Sequence, residues 1–208
     1  MDVPSEQHPH PRRSQAERRA ATRQKLLAVA RQLFGERGYS HVSADEIVQA
    51  AGMTRGALYH HFPKGKEDLL AALYDQIQGE VSARLDAIAC AYEDTWQGLC
   101  ASFQAYLQAC LEPEMRQIVL RDAPANLSVE VFRALDAQYG VDTIEADLEM
   151  LVQAGALPPY PVRGLAYLLV GAVQEAALWI ANAQDAQSAL NEASLWLGHV
   201  LDGIVRRS

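Results

Sequence analysis

The sequence predicts an all-α fold, in which a small N-terminal head of three helices is joined to a larger helical body. Apolar residues recur at helical spacing along most of the chain, and no segment shows the alternation of a strand. Residues 12–66 contain 11 Lys or Arg and four Asp or Glu. Residues 67–208 contain seven Lys or Arg and 20 Asp or Glu. The head therefore has a net charge of +7 and the body of −13, so that only the head suits a phosphate-bearing partner.

Residues 1–14 are predicted to form a flexible arm, because Pro4, Pro9 and Pro11 interrupt a polar stretch. No apolar segment there resembles a signal peptide, and no apolar run approaches the roughly 20 residues of a membrane span. We therefore expect a cytoplasmic protein with no membrane partner.

The head is predicted to occupy residues 15–66. Gly38 supplies a C-terminal stop for its first helix, and Ser43 and Glu46 have the spacing of a capping box that opens the second. Thr54 can cap a third, short helix. These signals give the head helices over residues 15–37, 44–52 and 54–61.

The body is predicted to occupy residues 67–208. A long helix opens with Glu67 and Asp68 at its positive end and carries apolar residues at helical spacing. Proline, glycine and capping residues bound the rest, and a short helix is expected to stop before Pro124. The further predicted helices cover residues 96–111, 115–121, a segment capped by Ser128, 142–154, 162–182 and 186–205.

The second and third helices have the arrangement of a helix-turn-helix. Gly52 lets the backbone turn tightly between them without a Cβ clash, while Gly56 and Ala57 keep the outer face of the third helix low. The N-terminus of that helix can then enter the major groove of double-stranded DNA. Exposed donors for bases and phosphates are expected at Ser43, Thr54, Arg55, Tyr59, His60, Lys64 and Lys66.

Other basic groups in the head leave alternatives open. His60 and His61 diverge by about 100° on a helix, so one exposed contact and one buried or interhelical residue is favoured over a shared metal ion. Arg12 and Arg13 could reach a minor groove, although solvation without contact is the simpler interpretation.

Three stretches resemble the signature of the TetR family of regulators: Ser43-Ala-Asp-Glu-Ile47, Ala50-Ala-Gly-Met-Thr-Arg-Gly-Ala-Leu-Tyr-His-His-Phe62 and Lys66-Glu-Asp-Leu-Leu70. The resemblance implies an all-helical homodimer, with a DNA-binding head and a larger ligand-binding and dimerising body. It also implies repression that a small molecule releases.

The resemblance assigns roles within the head. It implies that Thr54, Arg55 and Gly56 face bases, and that the DNA backbone is held by Ser43, Tyr59, His60 and Lys66. Phe62-Pro-Lys-Gly-Lys66 is one residue longer than the common Phe-x-Ser-Lys form, which leaves the phosphate role open between Lys64 and Lys66.

Aromatic residues are concentrated along the middle helices of the body. Each one alone is ordinary core, but together with the family resemblance they predict an apolar cavity with a few polar groups. The acidic body favours cationic or neutral ligands, although solvent-facing charge explains the acidity equally well. The candidate ligand-binding residues are Trp96, Phe103, Tyr106, Arg121, Phe132, Tyr139, Tyr167 and Gln174.

The last two predicted helices, residues 162–182 and 186–205, are too apolar for terminal helices that face water. They predict a two-fold interface in which two copies form a four-helix bundle, and folding back on the body accounts for part of each apolar stripe. The candidate interface residues are Leu168, Ala172, Ala176, Leu197, Val200 and Leu201.

The sequence contains no glycine-rich phosphate loop, His-x-x-x-His pair or nucleophile motif, so no enzyme, cofactor or metal site is expected. The chain has three cysteines, Cys90, Cys100 and Cys110, and an odd number argues against a disulfide framework. Their ten-residue spacing directs neighbouring cysteines to different sides of a helix, which argues against a metal cluster. The expected partners are operator DNA, a small-molecule effector and a second copy. A helical binding or scaffold protein without a DNA role is the main alternative, and an activator would use the same contacts.

Overall fold

The computed structural model describes residues 14–204, and over that range the regular structure is helical, as the sequence predicts. The predicted arm, with Arg12 and Arg13, lies outside the described residues except for Ser14. The helices are, in chain order, α1 (Gln15–Arg37), α2 (Ala44–Ala50), α3 (Arg55–His61), α4 (Lys66–Ala89), α5 (Thr95–Ala109), a π-helical segment (Met115–Asp122), α6 (Ala123–Asn126), α7 (Val129–Asp136), α8 (Val141–Gln153), α9 (Arg163–Asn182) and α10 (Ala186–Ile204).

Local capping sets the helix starts in the head. The Ser14 and Ser43 hydroxyls each accept a hydrogen bond from the amide three residues on, and a glutamate at that position returns one to the cap backbone. The Thr54 hydroxyl accepts from the Ala57 amide at the start of α3. Each cap satisfies an amide that would otherwise lack a partner, so the predicted starts agree with the structure.

The head and body share one buried apolar cluster. The helices α1, α2 and α3 pack around Leu26, Phe34 and Leu58, all fully buried. The helix α4 leaves the head and packs along α5 and the π-helical segment, while α9 lies between α8 and α10. The helix α4 therefore belongs to both parts of the molecule and connects them.

The segment around Pro124 differs from the prediction. A helix was expected to stop before this proline, but the π-helical segment continues into α6, with Pro124 in the first turn of α6. The Ala123 amide donates to the carbonyl of Ile118, five residues back. This wider turn relieves the clash that a proline makes with the carbonyl four residues before it, so the chain stays helical.

The helix α9 is long and apolar enough, by length and composition, to cross a membrane. This departs from the expectation that no apolar run approaches that length, although a core helix of a soluble protein meets the same criterion. It packs on α8 and α10, yet only 33% of its most apolar stretch is buried. A single chain thus leaves an apolar face of this helix uncovered.

Candidate nucleic-acid interface and ligand cavity

The outer face of α3 presents the side chains expected to contact bases. Thr54, Arg55 and Gly56 are exposed at its N-terminus, while Leu58 and Phe62 are buried against the rest of the head. The positive end of the helix dipole lies at this same exposed N-terminus. The helix is therefore fixed by its inner face and free to approach a groove with its outer face.

Arg55 is held by an ion pair that the sequence did not predict. Its Nε and Nη2 donate to the two carboxylate oxygens of Asp45 on α2, and both side chains are exposed, at 66% and 58%. The guanidinium lowers the pKa of Asp45 through this hydrogen bond. Exposed ion pairs contribute little to stability, so this pair leaves the Arg55 guanidinium available for another anionic or polar partner.

Lys64 and Lys66 have different environments. The Lys64 ammonium is exposed and lies 3.2 Å from a Glu67 carboxylate oxygen. Lys66 points inward: its Nζ donates to the Tyr39 carbonyl at 2.8 Å and lies 4.0 Å from the centre of the Tyr39 ring. Burial lowers the pKa of Lys66. The structure thus departs from the expectation of Lys66 as an exposed phosphate contact, because its charge is used within the head.

Tyr59 lies over the turn that follows α3. Gly65 has a φ of +62°, and a Cβ there would come within 3.1 Å of the Tyr59 ring. The positive φ therefore favours glycine, and a larger residue would also press on the Tyr59 ring. Tyr59 itself remains 49% exposed, so its position is fixed without its surface being covered.

The histidines and the first helix form a basic edge beside α3. Arg19, Thr22, His60 and His61 line a shallow cleft between α1 and α3. His60 is exposed, whereas His61 is half-buried, and burial is the main cause of a lowered pKa for His61. Lys25 lies near the turn, with its Nζ 3.9 Å from where a Cβ on Gly52 would stand. These groups of α1 are not among the predicted DNA-binding residues, and the positive charge of the whole head is the only sequence signal for them.

Two polar contacts fasten the head to the body. Arg31 on α1 donates to Glu80 on α4 and to Glu114, with distances of 2.6 to 2.8 Å. The Tyr39 amide donates to Asp122 at 2.8 Å, and Gln117 donates to the other oxygen of the same carboxylate. The Asp122 carboxylate thus joins the head to the π-helical segment.

The body contains two adjoining cavities, of about 90 and about 120 Å³. They meet at four polar residues that line both. Apolar and aromatic groups from α4, α5 and α7 to α9, together with the segment leading into α6, complete the walls. The shared residues are Gln78, Tyr106, Asp136 and Gln174.

Asp136 is the centre of the polar groups between the cavities. The Tyr74 hydroxyl donates to one carboxylate oxygen at 3.0 Å, and Gln174 Nε2 donates to the other at 2.7 Å. Gln78 donates to the Tyr74 oxygen at 3.3 Å. Burial, together with Asp136, raises the pKa of Tyr74, so its phenol keeps its proton. The carboxylate is thus held by two neutral donors.

Tyr139 closes one side of the first cavity. Its hydroxyl donates to an Asp75 carboxylate oxygen at 2.6 Å, and burial raises the pKa of Tyr139 to about 12. Tyr74 on α4 donates to Asp136 on α7, and Tyr139 donates to Asp75 on α4. These two hydrogen bonds fix this wall of the cavity to α4, the helix that begins in the head.

Five of the eight candidate ligand-binding residues line a cavity: Phe103, Tyr106, Phe132, Tyr139 and Gln174. The other three require correction, because none lines either cavity. Trp96 packs against the apolar core, Arg121 donates to the Ala181 carbonyl at 2.5 Å, and Tyr167 is exposed beneath the guanidinium of Arg163.

Three further residues, Tyr74, Gln78 and Asp136, line the cavities and are not among the predicted ligand-binding residues. A signal existed for Gln78, which lies four residues after Tyr74 on the apolar side of α4 and interrupts it with a polar group. No local signal marked Asp136, because its partners lie on other helices.

The candidate interface residues fall into two groups. Leu168, Ala172 and Val200 are exposed and Ala176 is half-buried. Leu197 and Leu201 are buried against their own chain, so the expectation that they face a partner is corrected. Among the described residues, six of the eleven large exposed apolar side chains lie on the last two helices: Tyr167, Leu168, Trp179, Leu195, Trp196 and Val200.

Within residues 14–204, no group of three or more His, Cys, Asp or Glu side chains is arranged to hold a metal ion. The three cysteines are free thiols: Cys90 is exposed, Cys100 is half-buried and Cys110 is buried. Burial raises the pKa of Cys100 to about 11 and that of Cys110 to about 12, which keeps both thiols protonated.

Two family models match the chain. Residues 26–73 match the model described as bacterial regulatory proteins, tetR family, which covers most of the head. Residues 96–204 match the model described as tetracyclin repressor-like, C-terminal domain. The second match alone takes in more than half of the chain.

Curated relatives extend the similarity. The transposon Tn10 TetC protein of Escherichia coli is 31% identical over 161 residues, which cover 76% of this chain and 79% of that protein. The HTH-type transcriptional repressor KstR2 of Mycolicibacterium smegmatis is 32% identical over 113 residues, which cover 52% of this chain and 53% of KstR2.

Solved structures share the architecture. A TetR-family transcriptional regulator from Pectobacterium atrosepticum superposes with a TM-score of 0.81 at 38% identity, over 94% of this chain and 99% of that one. RolR in complex with resorcinol superposes with a TM-score of 0.66 at 21% identity, over 93% of this chain and 97% of RolR. The second likeness concerns the fold alone.

Proposed function

This chain belongs to the TetR family of DNA-binding transcriptional regulators, and on that basis we propose that it is a repressor which a small molecule releases from its operator. It is a transcription factor rather than an enzyme, as the sequence predicts. Homologues such as KstR2 are repressors, which favours repression over activation. We place the protein in the cytoplasm, where its operator would lie.

The single observation that carries the DNA role is the exposed N-terminus of α3. Thr54, Arg55 and Gly56 are available for base edges, and Ser43, Tyr59, His60 and Lys64 surround them for phosphates. In this proposal residues 15–66 are the DNA-binding domain and residues 67–208 the ligand-binding and dimerisation domain.

The uncovered apolar surface of α9 and α10 supports a homodimer. Gly171, Gly198 and Gly203 have open space around the position of a Cβ, which permits close approach by a second backbone. Two-fold pairing of these helices would present two copies of α3, and the operator would then be a pseudo-palindrome.

Release is supported by the walls of the cavity. The helix α4 contributes Tyr74, Gln78 and Val81 to it and begins in the head at Lys66. A ligand that prefers a different position of α4 would shift the dimer away from the spacing that fits DNA. RolR binds resorcinol in a related fold, which is consistent with a small effector in this body.

The decisive experiment is a gel shift with DNA from upstream of the protein's own gene and a scrambled copy. Arg55→Ala should reduce the discrimination between the two by about 1–3 kcal/mol, because a base contact is lost. Arg84→Ala is the matched control: this arginine is also exposed, at 52% against 66% for Arg55, but it lies on the body, paired with Glu112, so its loss should leave discrimination unchanged.

Equal binding of operator and scrambled DNA by the parent protein would contradict the proposal. That result would favour the alternative of a helical small-molecule-binding or scaffold protein. Specific binding that raises transcription from the same promoter would instead identify an activator, which uses the same DNA contacts.

A further inference from the structure

The two cavities of the body have an unbalanced charge. Their walls contain one carboxylate, Asp136, and no Lys, Arg or His, as far as the described residues extend. The tyrosines on the walls do not alter this balance, because burial raises the pKa of both Tyr74 and Tyr106 and keeps them neutral. The lining is therefore apolar apart from neutral polar groups and one negative charge.

Among the described residues, no Lys, Arg or His forms an ion pair with Asp136. Its two hydrogen bonds come from the Tyr74 hydroxyl and the Gln174 amide. An ionised carboxylate offers about four acceptor positions, so this one retains capacity for a further donor. The half-buried position of Asp136, on the walls of both cavities, places that capacity beside the space for a ligand.

Aromatic rings surround the same space. Phe103, Tyr106 and Tyr139 line the first cavity, and Phe132 and Tyr74 line the second. The faces of aromatic rings attract cations, most strongly where water is excluded. The rings and the carboxylate thus favour the same kind of ligand, one with an apolar framework and a positive charge.

We propose that the effector is a small apolar molecule carrying a single ammonium group, which binds at Asp136 among these rings. The inference rests on the proposed function only in treating the cavity as the effector site. An anionic ligand would have to be buried beside Asp136 without any compensating cation, at a high cost in desolvation and repulsion. Cavities of about 90 and 120 Å³ suit a molecule with one ring and a short chain.

The test is isothermal titration calorimetry of the full-length protein with three probes of similar shape: 2-phenylethylammonium, 2-phenylethanol and 3-phenylpropionate. The ammonium should bind at least about tenfold more tightly than the alcohol, since a hydrogen bond to a charged group contributes that much, and the carboxylate should not bind. Because this comparison uses the parent protein, it does not depend on how any variant folds.

Asp136→Asn should weaken the ammonium about tenfold or more and leave the alcohol unchanged. Glu130→Gln is the matched control: it removes one negative charge from the same helix, but at an exposed position outside both cavities, so it should change neither affinity. Thermal melting of each variant checks that the fold is kept.

Three results would overturn the inference: no binding of the ammonium, equal or tighter binding of the alcohol or carboxylate, or an ammonium affinity that Asp136→Asn leaves unchanged. Calorimetry needs no DNA, so its outcome is independent of the gel shift. A protein that binds its operator but not the ammonium would retain the proposed function and lose this inference. A protein that binds the ammonium without any change in its DNA affinity would lose only the proposed release.

Discussion

Lys64 and Lys66 are only two residues apart, but their side chains have different environments and therefore different expected roles. Lys64 lies in the turn before α4, where its ammonium reaches solvent, whereas Lys66 begins α4 and turns inward to the Tyr39 carbonyl and ring. A phosphate contact requires an accessible cation, so Lys64 is the better candidate. Lys66 instead satisfies a carbonyl at the turn that follows α1.

Exchanging each lysine for alanine should separate these roles. Lys64→Ala is expected to weaken binding to all DNA sequences and to reduce the slope of log K against log salt by about 0.9, the value for one phosphate contact. Lys66→Ala is expected to lower the free energy of unfolding by about 1–3 kcal/mol, because the Tyr39 carbonyl loses a charged donor, and to leave the salt slope unchanged. Filter binding at several salt concentrations and urea denaturation measure the two effects. A flatter slope for Lys66→Ala would return the phosphate role to Lys66.

At the scale of elements, the π-helical segment Met115–Asp122 connects cavity and head. Val119 and Leu120 line the second cavity, while Asp122 accepts the Tyr39 amide in the head. Both contacts lie within one π-helical segment of eight residues. A ligand that displaces Val119 or Leu120 would therefore act directly on the junction with the head.

Asp122→Ala should leave the partly buried Tyr39 amide without its acceptor. We expect the free energy of unfolding to fall by about 1–3 kcal/mol and exchange at the Tyr39 amide to accelerate, since local opening no longer breaks a hydrogen bond. Hydrogen exchange read by NMR measures the amide directly.

Glu130→Ala, at an exposed position on α7, is the control and should change neither quantity. Unaltered protection of the Tyr39 amide in Asp122→Ala would mean that this contact does not fasten the head to the body.

At the scale of the whole molecule, charge and apolar surface lie at different places. The basic head carries the face for DNA, the acidic body encloses the cavities, and the outer faces of α9 and α10 expose large apolar side chains. Soluble monomers seldom leave such patches uncovered, so a second copy is the expected partner. A second copy that covers α9 would also explain why this helix is apolar enough to resemble a membrane span.

Leu168→Arg should convert the proposed dimer to a monomer. Leu168 is 73% exposed in one chain, so the charge of the new arginine would be buried only when two chains associate. Val129→Arg introduces the same charge at a residue that is 68% exposed on α7, away from the proposed interface, and should leave the dimer intact. Light scattering coupled to size exclusion gives both masses. A Leu168→Arg protein that remains dimeric would refute this interface. Leu197 is unsuitable for the test, since it is buried in its own chain.

The helices of the head and the outward face of α3 follow from local sequence patterns. Ser43 and Thr54 cap through hydrogen bonds to amides three residues away, and Leu58 and Phe62 share a face by helical periodicity. Such interactions depend on neighbours along the chain, so spacing alone predicts them. The resemblance to the TetR family has the same local origin and is confirmed by the family models and relatives.

Which groups meet across the chain depends on how the helices pack in three dimensions. Asp136 accepts hydrogen bonds from Tyr74, 62 residues away, and from Gln174, 38 residues away. Arg55 forms an ion pair with Asp45 on a different helix. The inward turn of Lys66 and the burial of Leu197 likewise depend on which helix packs against which. Apolar periodicity predicts that a helix has a buried face, but several packings would bury it. The cavity, its unpaired carboxylate and the uncovered side of the last helices follow from the one packing that forms.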